Sequence, residues 1–197
     1  AQHLGAPVPA IEAAVAARNL SAARDQRRIG EDMFGAAPQP LDGALTEGQL
    51  EQALIAGKII CYAQGFQMIS AASTQFGWKL SLPDIARVWR EGCIIRSVML
   101  DDMATALTET PDENLMFSNT FSDDLKANHT ALRQVVAQAA LHGLAVPALS
   151  SGLAYFDTMR THRGTANMLQ GQRDYFGRHG FERLDRDGTD YHGPWAD

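Results

Sequence analysis

The sequence predicts an all-α domain with an extended C-terminal tail, and three observations support this prediction. Apolar residues recur at the three- and four-residue spacing of helices. Residues that favour the starts and ends of helices follow one another along the chain. No segment alternates apolar and polar residues convincingly enough to indicate a strand. Because 45% of the 197 residues are hydrophobic and 20% are charged, we expect a folded protein with a substantial core.

The first half of the chain predicts two helices. Residues 9–33 carry apolar residues at helical spacing and form the first. Residues 34–45 contain glycine and proline and read as a short connection within one domain. Thr46, with Gln49 three residues later, matches a capping box that opens a second helix, expected to run to residue 76.

Residues 59–78, IICYAQGFQMISAASTQFGW, contain no charged residue. Their length would allow a membrane span. However, polar side chains such as Gln64, Gln67 and Ser70 would each need a hydrogen-bonding partner in lipid. A helix that is apolar around most of its circumference is typically buried by other helices. We therefore predict a central core helix and the turn after it, not a membrane span.

Four further helices are predicted, three of them from serine or proline at the start, two of these with glycine at the end, and one from its apolar residues after a glycine. Their expected bounds are a start at Ser81 and Pro83, a second apolar helix after Gly92 within 89–100, a helix from Ser122 to Gly143, and one from Pro147 to Gly164. A last helix covers 165–176, and the polar tail 181–197 is expected to be extended. In the Ser122 helix, the predicted buried stripe is Leu125, Leu132, Val135, Val136 and Ala139.

Composition and motifs exclude several classes of function. A net charge of −6 argues against nucleic acid as a general partner, because binding phosphates requires an excess of Lys and Arg. The sequence has no GxGxxG, P-loop, GxSxG or HExxH motif. The six histidines are never at metal-ligand spacing, so no metal is expected. Cys61 and Cys93 are isolated and no secretory leader is visible, which together favour a reducing cytoplasm.

Two basic segments are candidates for binding an anion. The first contains Arg18 and three more arginines at 24, 27 and 28, and reads either as a solvated helix face or as a site for a small anion. The second is QRDYFGRHGFE, residues 172–182, in which Arg173 is followed by His179 just after the expected helix end. Arginine offers a planar fork to phosphate or carboxylate, and histidine can donate to the same anion. The alternative for this segment is an exposed helix end of mixed charge.

Several segments together resemble a known family. They are AARNLSAARDQRR (16–28), GKIICYAQGF (57–66), WREGCIIRS (89–97), ANMLQGQRDYFGRHGFER (166–183) and the closing W-x-D. In this order they are similar to the C-terminal helical part of 6-phosphogluconate dehydrogenase, the decarboxylating enzyme of the pentose phosphate pathway and of gluconate utilisation. The similarity covers nearly all of the chain.

The resemblance implies a fold, a reaction and an assembly. Family members convert 6-phosphogluconate and NADP to ribulose 5-phosphate, carbon dioxide and NADPH in the cytoplasm, without a metal. It implies a homodimer in which the tail of each subunit reaches into its partner. By motif, Arg18 corresponds to the arginine that binds the substrate phosphate within its own subunit. Arg173 and His179 correspond to the pair that the tail contributes to the partner's site.

The resemblance also implies what this chain lacks. The general-base lysine, the acid glutamate and the K-G-T-G-x-W signature are expected upstream of residue 1, as is the Rossmann domain that binds NADP. Residues 1–180 would be the helical substrate and dimerisation domain, and 181–197 the tail. This chain by itself is expected to be inactive and to contain no catalytic or cofactor-binding residue. It departs from the family pattern at Thr165, where proline is frequent, and at Arg178, where a small residue is usual.

Two other hypotheses remain open at this point. One is a non-enzymatic helical module for dimerisation or anion binding, because uncharged helix surface that loses its covering partner drives association. The other is a structural helical bundle of a different family.

Overall fold

The fold, obtained as a computed structural model that describes residues 1–195, is built from helices, as predicted. The described residues form eight α-helices and two short 3-10 helices, Gln2–Leu4 and Leu115–Phe117. The α-helices are α1 (Pro9–Ser21), α2 (Arg24–Phe34), α3 (Glu47–Phe76), α4 (Leu82–Gly92), α5 (Met99–Glu109), α6 (Asn119–Leu141), α7 (Pro147–Met159) and α8 (Ala166–Gly177). Over these residues the only β pairing is an antiparallel bridge between Phe181 and Tyr191.

The chain divides into two units, Ala1–Phe156 and Asp157–Asp197. The first unit contains α1 to α6 and most of α7, and the second contains α8 and the segment after it. The predicted division at residue 180 concerns which residues reach a partner subunit, and it stays a prediction.

The core of the first unit is organised by α3, which packs mainly against α6. The predicted capping box is confirmed: the Gln49 amide nitrogen donates to Thr46 Oγ1 at 3.2 Å, and the Thr46 amide donates to Gln49 Oε1 at 2.8 Å. Gly57 permits close packing, because a Cβ there would lie 2.6 Å from Leu149 Cδ2 of α7. The buried residues of α3 are Ala53, Ala56, Gly57, Ile59, Ile60, Ala63, Gln64 and Phe66.

Residues 59–76 of the uncharged stretch lie on α3, and residues 77–78 follow its end. Ile59, Ile60, Ala63, Gln64 and Phe66 are buried, as predicted for a core helix, whereas residues 74–78 are exposed. Within residues 1–195, no helix is long and apolar enough to cross a membrane. Gln64 is fully buried, and its Oε1 accepts a hydrogen bond from the Ala10 amide at 3.0 Å. Ala10 lies in the first turn of α1, where backbone N–H groups have no partner within the helix. A polar residue of the core thus fixes the start of another helix 54 residues away.

Replacing Gln64 with leucine is expected to lower the free energy of unfolding by about 1 kcal/mol, because the buried Ala10 N–H loses its acceptor. This decrease in the free energy of unfolding is at the low end for a buried N–H that loses its acceptor, because the substitution also removes Gln64 Nε2, which is buried without a partner. Urea unfolding of the full-length protein measures the change. Gln75→Leu, at an exposed position of the same helix, is the matched control. Equal stability of the two variants would show that the Ala10 contact contributes nothing.

The predicted single helix over 9–33 is wrong, because the chain leaves the helix at residues 22–23 and forms α1 and α2. The Ser21 hydroxyl donates to the Arg18 carbonyl at 2.6 Å, and the Arg27 guanidinium donates to the Ser21 carbonyl at 3.0 Å. These side chains occupy carbonyls that a continuous helix would pair with backbone amides.

The predicted start of the helix at Ser122 is also wrong, because α6 begins at Asn119 with Ser118 as the preceding cap residue. Ser122 lies inside the helix, and its hydroxyl donates to the Asn119 carbonyl at 3.0 Å. The earlier start places Phe121 on the buried face, where it is fully inaccessible to solvent. The predicted stop at Gly143 is confirmed: this glycine has φ 67°, and the Leu144 amide donates to the Ala139 carbonyl, as in a Schellman motif.

Two further boundaries differ from the predictions. The apolar helix expected within 89–100 begins only at Met99, because two side chains of α3 form hydrogen bonds with the loop before it. Tyr62 Oη donates to the Ile95 carbonyl, and Lys58 Nζ donates to Ser97 Oγ. The helix from Pro147 ends at Met159 and not at Gly164, since the Thr161 hydroxyl donates a hydrogen bond to the Asp157 carbonyl, which a continuing helix would pair with a backbone amide. The starts at Leu82, after Ser81, and at Pro147 are confirmed.

The described part of the tail, residues 181–195, contains no helix, as predicted, but it folds back on itself. Phe181 and Tyr191 exchange two backbone hydrogen bonds of 2.9 and 3.2 Å. The Tyr191 hydroxyl donates to the Asp187 carbonyl at 2.7 Å. The end of the tail therefore returns toward α8, within the second unit.

Candidate functional site

The C-terminal end of α8 carries two of the three predicted anion-binding residues. Arg173 is exposed, and its Nη1 donates to Gln170 Oε1 at 3.2 Å, one turn earlier on the helix. No carboxylate within residues 1–195 pairs with this guanidinium, whereas Arg87, Arg90 and Arg183 all pair with aspartates. Arg173 therefore keeps most of its donors for a ligand.

His179 follows α8 in a tight turn formed by two left-handed residues. Arg178 has φ 52° and ψ 44°, and Gly180 has φ 70°. This turn folds the His179 ring back over the last residue of the helix, since a Cβ on Gly177 would lie 3.0 Å from His179 Nε2. The departure at Arg178 thus places a non-glycine residue in a conformation that costs about 1–2 kcal/mol for L-residues. The turn needs other contacts to hold it.

Asp174 supplies those contacts. It is fully buried, and each of its carboxylate oxygens accepts two hydrogen bonds. Oδ1 accepts from the Gly180 amide at 2.9 Å and from His192 Nδ1 at 2.6 Å. Oδ2 accepts from the Gly193 amide at 2.9 Å and from Trp195 Nε1 at 2.8 Å. One side chain of α8 thereby holds both the turn after the helix and the returning end of the tail.

The pKa of the Asp174 carboxyl reflects these bonds. Burial acts to raise this pKa, but the hydrogen bonds from His192, Gly193, Gly180 and Trp195 outweigh it and lower the pKa below its ordinary value of 3.8. Because the folded-state pKa is the lower one, the stabilising contribution of Asp174 is complete above the ordinary value. It is lost only as the pH falls through the lowered value. The carboxylate is ionised at neutral pH, so His192 Nδ1 carries the proton in their hydrogen bond.

The sequence interpretation missed Asp174 and its partners, since it assigned a role only to Arg173 and His179 in this segment and kept an exposed helix end as the alternative. One signal could have indicated it. An acidic residue in the last turn of a helix is unfavourable next to the negative end of the helix dipole. Its occurrence there implies a specific set of donors, which only the folded tail supplies.

Arg18 lies in the first unit, in the last turn of α1, and its side chain is exposed. No acidic side chain of the described chain pairs with it. The arginines at 24, 27 and 28 are also exposed, as a solvated helix face requires. Within residues 1–195, no three His, Cys, Asp or Glu side chains are grouped closely enough to hold a metal ion. The three predicted residues offer hydrogen-bond donors, which suits an anion.

The first unit also contains a mostly apolar groove of about 600 Å³. One face of α3 forms its floor through Lys58, Cys61, Tyr62 and Gly65, and Trp89 of α4 contributes a wall. The pKa of the Cys61 thiol is raised by burial, so this thiol is not activated as a nucleophile. The uncharged stretch is thus both part of the core and the lining of a concave surface.

Comparison with known proteins identifies the family. The family described as 6-phosphogluconate dehydrogenase, C-terminal domain, matches residues 1–195 of this chain. The chain belongs to the 6-phosphogluconate dehydrogenase family. Among its relatives, 6-phosphogluconate dehydrogenase, decarboxylating 2, of Saccharomyces cerevisiae is 45% identical over 189 residues, which are 93% of this chain and 38% of the yeast protein. The NAD(+)-dependent decarboxylating enzyme of Bacillus subtilis is 40% identical over 197 residues, 98% of this chain and 42% of the relative.

A solved structure of a 6-phosphogluconate dehydrogenase has the same fold. The Plasmodium falciparum enzyme, studied in its apo form and in complexes with NADP+ and with 6-phosphogluconate, superimposes with a TM-score of 0.87 at 39% identity. The match covers 98% of this chain and 42% of the Plasmodium chain. The predicted family and the all-α class are therefore confirmed, and the chain spans about two fifths of the length of these relatives.

Proposed function

We propose that this chain is the substrate-phosphate-binding and dimer-forming part of an enzyme that oxidatively decarboxylates 6-phosphogluconate. In this reaction a hydride and its two electrons pass from the substrate to NADP+, and the bond to the carboxylate breaks to release CO2. Ribulose 5-phosphate and NADPH are the other products. The observation that carries the proposal is the pair Arg173 and His179, which occupies the family motif and is not neutralised by any described carboxylate.

The physical chemistry of the pair fits a phosphate. A guanidinium makes two parallel charge-assisted hydrogen bonds to phosphate oxygens, and such bonds are about twice as strong as neutral ones. His179 adds a third donor from the turn after α8. Arg18, from the first unit, is proposed as the second guanidinium of the site, with Arg173 and His179 contributed by α8 and the following turn of the partner subunit in a homodimer.

The cofactor is proposed to be NADP+, bound by a Rossmann domain outside residues 1–197. The Plasmodium relative was studied with NADP+, whereas the Bacillus relative is described as NAD(+)-dependent. The groups of this chain bind and orient the substrate, and the proton and hydride transfers use residues outside it.

The full-length protein tests the proposal in a nicotinamide reduction assay with trapping of released CO2. We expect reduction and CO2 release in equal amounts with 6-phosphogluconate, and a much lower kcat/KM with gluconate, which lacks the phosphate. Losing two or more charge-assisted hydrogen bonds of about 1.5–3 kcal/mol each predicts a difference of at least 100-fold. Parallel assays with NAD+ and NADP+ decide the cofactor.

Two results would overturn the proposal. No reduction of either nucleotide would favour the non-enzymatic helical module, particularly if the protein still formed dimers. Equal kcat/KM for gluconate and 6-phosphogluconate would support the oxidative decarboxylation but refute the proposed phosphate-binding site.

A further inference from the structure

We propose that Asp174 is a positioning residue that couples the folding of the tail to the placement of His179 in the substrate site. This inference rests on the proposed function. Asp174 itself is fully buried and its carboxylate is occupied by four hydrogen bonds from the chain, so it acts through the turn that it holds.

The turn that contains His179 is constrained by its backbone conformation and by α8. His179 lies between Arg178 and Gly180, both with positive φ. Both backbone groups of Gly180 are held by α8: its amide donates to Asp174 Oδ1 at 2.9 Å, and its carbonyl accepts from Gln170 Nε2 at 2.6 Å. The residue that follows His179 is therefore fixed at two points, and the histidine backbone has little freedom.

The remaining hydrogen bonds to Asp174 come from the far end of the tail. His192, Gly193 and Trp195 lie 18 to 21 residues after Asp174 in the chain, and all three donate to its carboxylate. Trp195 also packs edge-on against Tyr175 of α8, with ring centroids 5.8 Å apart. The carboxylate can keep its place in the interior only while these donors surround it, because an ionised carboxylate without partners is costly to bury. A tail that opens at 192–195 would release the constraint on Gly180 and so on His179.

Only a carboxylate fits the position of the Asp174 side chain. Each oxygen accepts one bond from a backbone amide, Gly180 on Oδ1 and Gly193 on Oδ2. An asparagine would turn its NH2 group toward one of the two amides in either orientation. Two donors would then face each other in a buried place, so the same shape cannot make the same contacts.

The test is Asp174→Asn in the full-length protein. The KM for 6-phosphogluconate is expected to rise about tenfold, which corresponds to weakening one hydrogen bond to a charged group. The KM for the nucleotide is expected to stay unchanged. Hydrogen exchange of the backbone amides over 178–195 is expected to become faster. Asp185→Asn makes the same chemical change at an exposed tail residue paired with Arg183, and it should alter neither quantity.

A double-mutant cycle separates positioning from general damage to the fold. In a His179→Ala background, Asp174→Asn should raise the KM further by less than about twofold, since residues that act as a unit are not additive. If Asp174→Asn does not fold, Trp195→Phe removes a single donor from the carboxylate and is used for the same exchange and KM measurements.

Three outcomes decide the matter. Faster exchange of the tail with an unchanged KM would overturn the coupling to His179. A tenfold rise in KM that persists in the His179→Ala background would overturn it as well, because Asp174 would then act by another route. A wild-type protein inactive on 6-phosphogluconate would instead refute the proposed function, and this inference with it, even if the exchange results are as expected.

Discussion

Replacing Arg173 with alanine in the full-length protein is expected to raise the KM for 6-phosphogluconate about 100-fold, with little change in the KM for the nucleotide. The guanidinium makes no ion pair with a described carboxylate, so its removal leaves no charged group of the described chain without a partner and affects only ligand binding. Loss of a charge-assisted contact of about 1.5–3 kcal/mol weakens binding by ten- to 150-fold. A rise in KM at nearly constant kcat would show that the contact is made equally in the ground state and the transition state.

Two variants serve as controls in the same steady-state kinetics. Arg173→Lys keeps the charge but loses the planar fork, so an intermediate KM is expected. Arg163→Ala removes an exposed arginine of the second unit and should leave the KM at the wild-type value. A wild-type KM in Arg173→Ala would contradict the assignment of Arg173 to the substrate site.

Mixing two variants that bind the substrate weakly extends this prediction to the proposed sharing of each site between two subunits. In an Arg18→Ala subunit paired with an Arg173→Ala subunit, one site receives both substitutions and the other receives none. Co-expression should therefore yield sites with the wild-type KM for 6-phosphogluconate, which neither variant has alone. If Arg18 and Arg173 served the same subunit's site, each site of the mixed dimer would carry one substitution and no site would have the wild-type KM.

Replacing Gly143 with alanine is expected to lower the free energy of unfolding by about 2–5 kcal/mol, from two additive causes. The residue has φ 67°, a conformation that costs an L-residue about 1–2 kcal/mol. A Cβ there would lie 2.2 Å from the Ala37 carbonyl oxygen. Displacing this backbone adds about 1–3 kcal/mol of overpacking, because the Gln39 amide ties the same loop to the His142 carbonyl at 2.9 Å.

Gly77 provides a matched control for this substitution. It ends α3 with φ 66°, and its following residue, Trp78, donates to the Ser73 carbonyl in the same motif. A Cβ on Gly77 would meet nothing within 4 Å. Gly77→Ala should therefore show only the conformational cost, about 1–2 kcal/mol. Equal urea midpoints for the two variants would show that the Ala37 contact is not a constraint.

The sequence by itself determined the features that depend on neighbouring residues. The capping box of Thr46 and Gln49 closes within one turn, and Gly143 ends its helix because only glycine readily takes a positive φ. The helical period of the apolar residues was enough to predict an all-α fold. The family motif also singled out Arg173 and His179, and the structure places both at the end of α8 with donors available.

The tertiary structure decided the features that depend on distant partners. The break after Ser21 and the late start of α5 follow from side chains that form hydrogen bonds with backbone groups. The start of α6 at Asn119 follows from the burial of Phe121. In each case the stabilisation gained exceeds the local helix propensity. Asp174 shows the same effect at the candidate site. Its four donors come from residues 6 to 21 positions later, so its burial and its lowered pKa exist only once the tail has folded back onto α8.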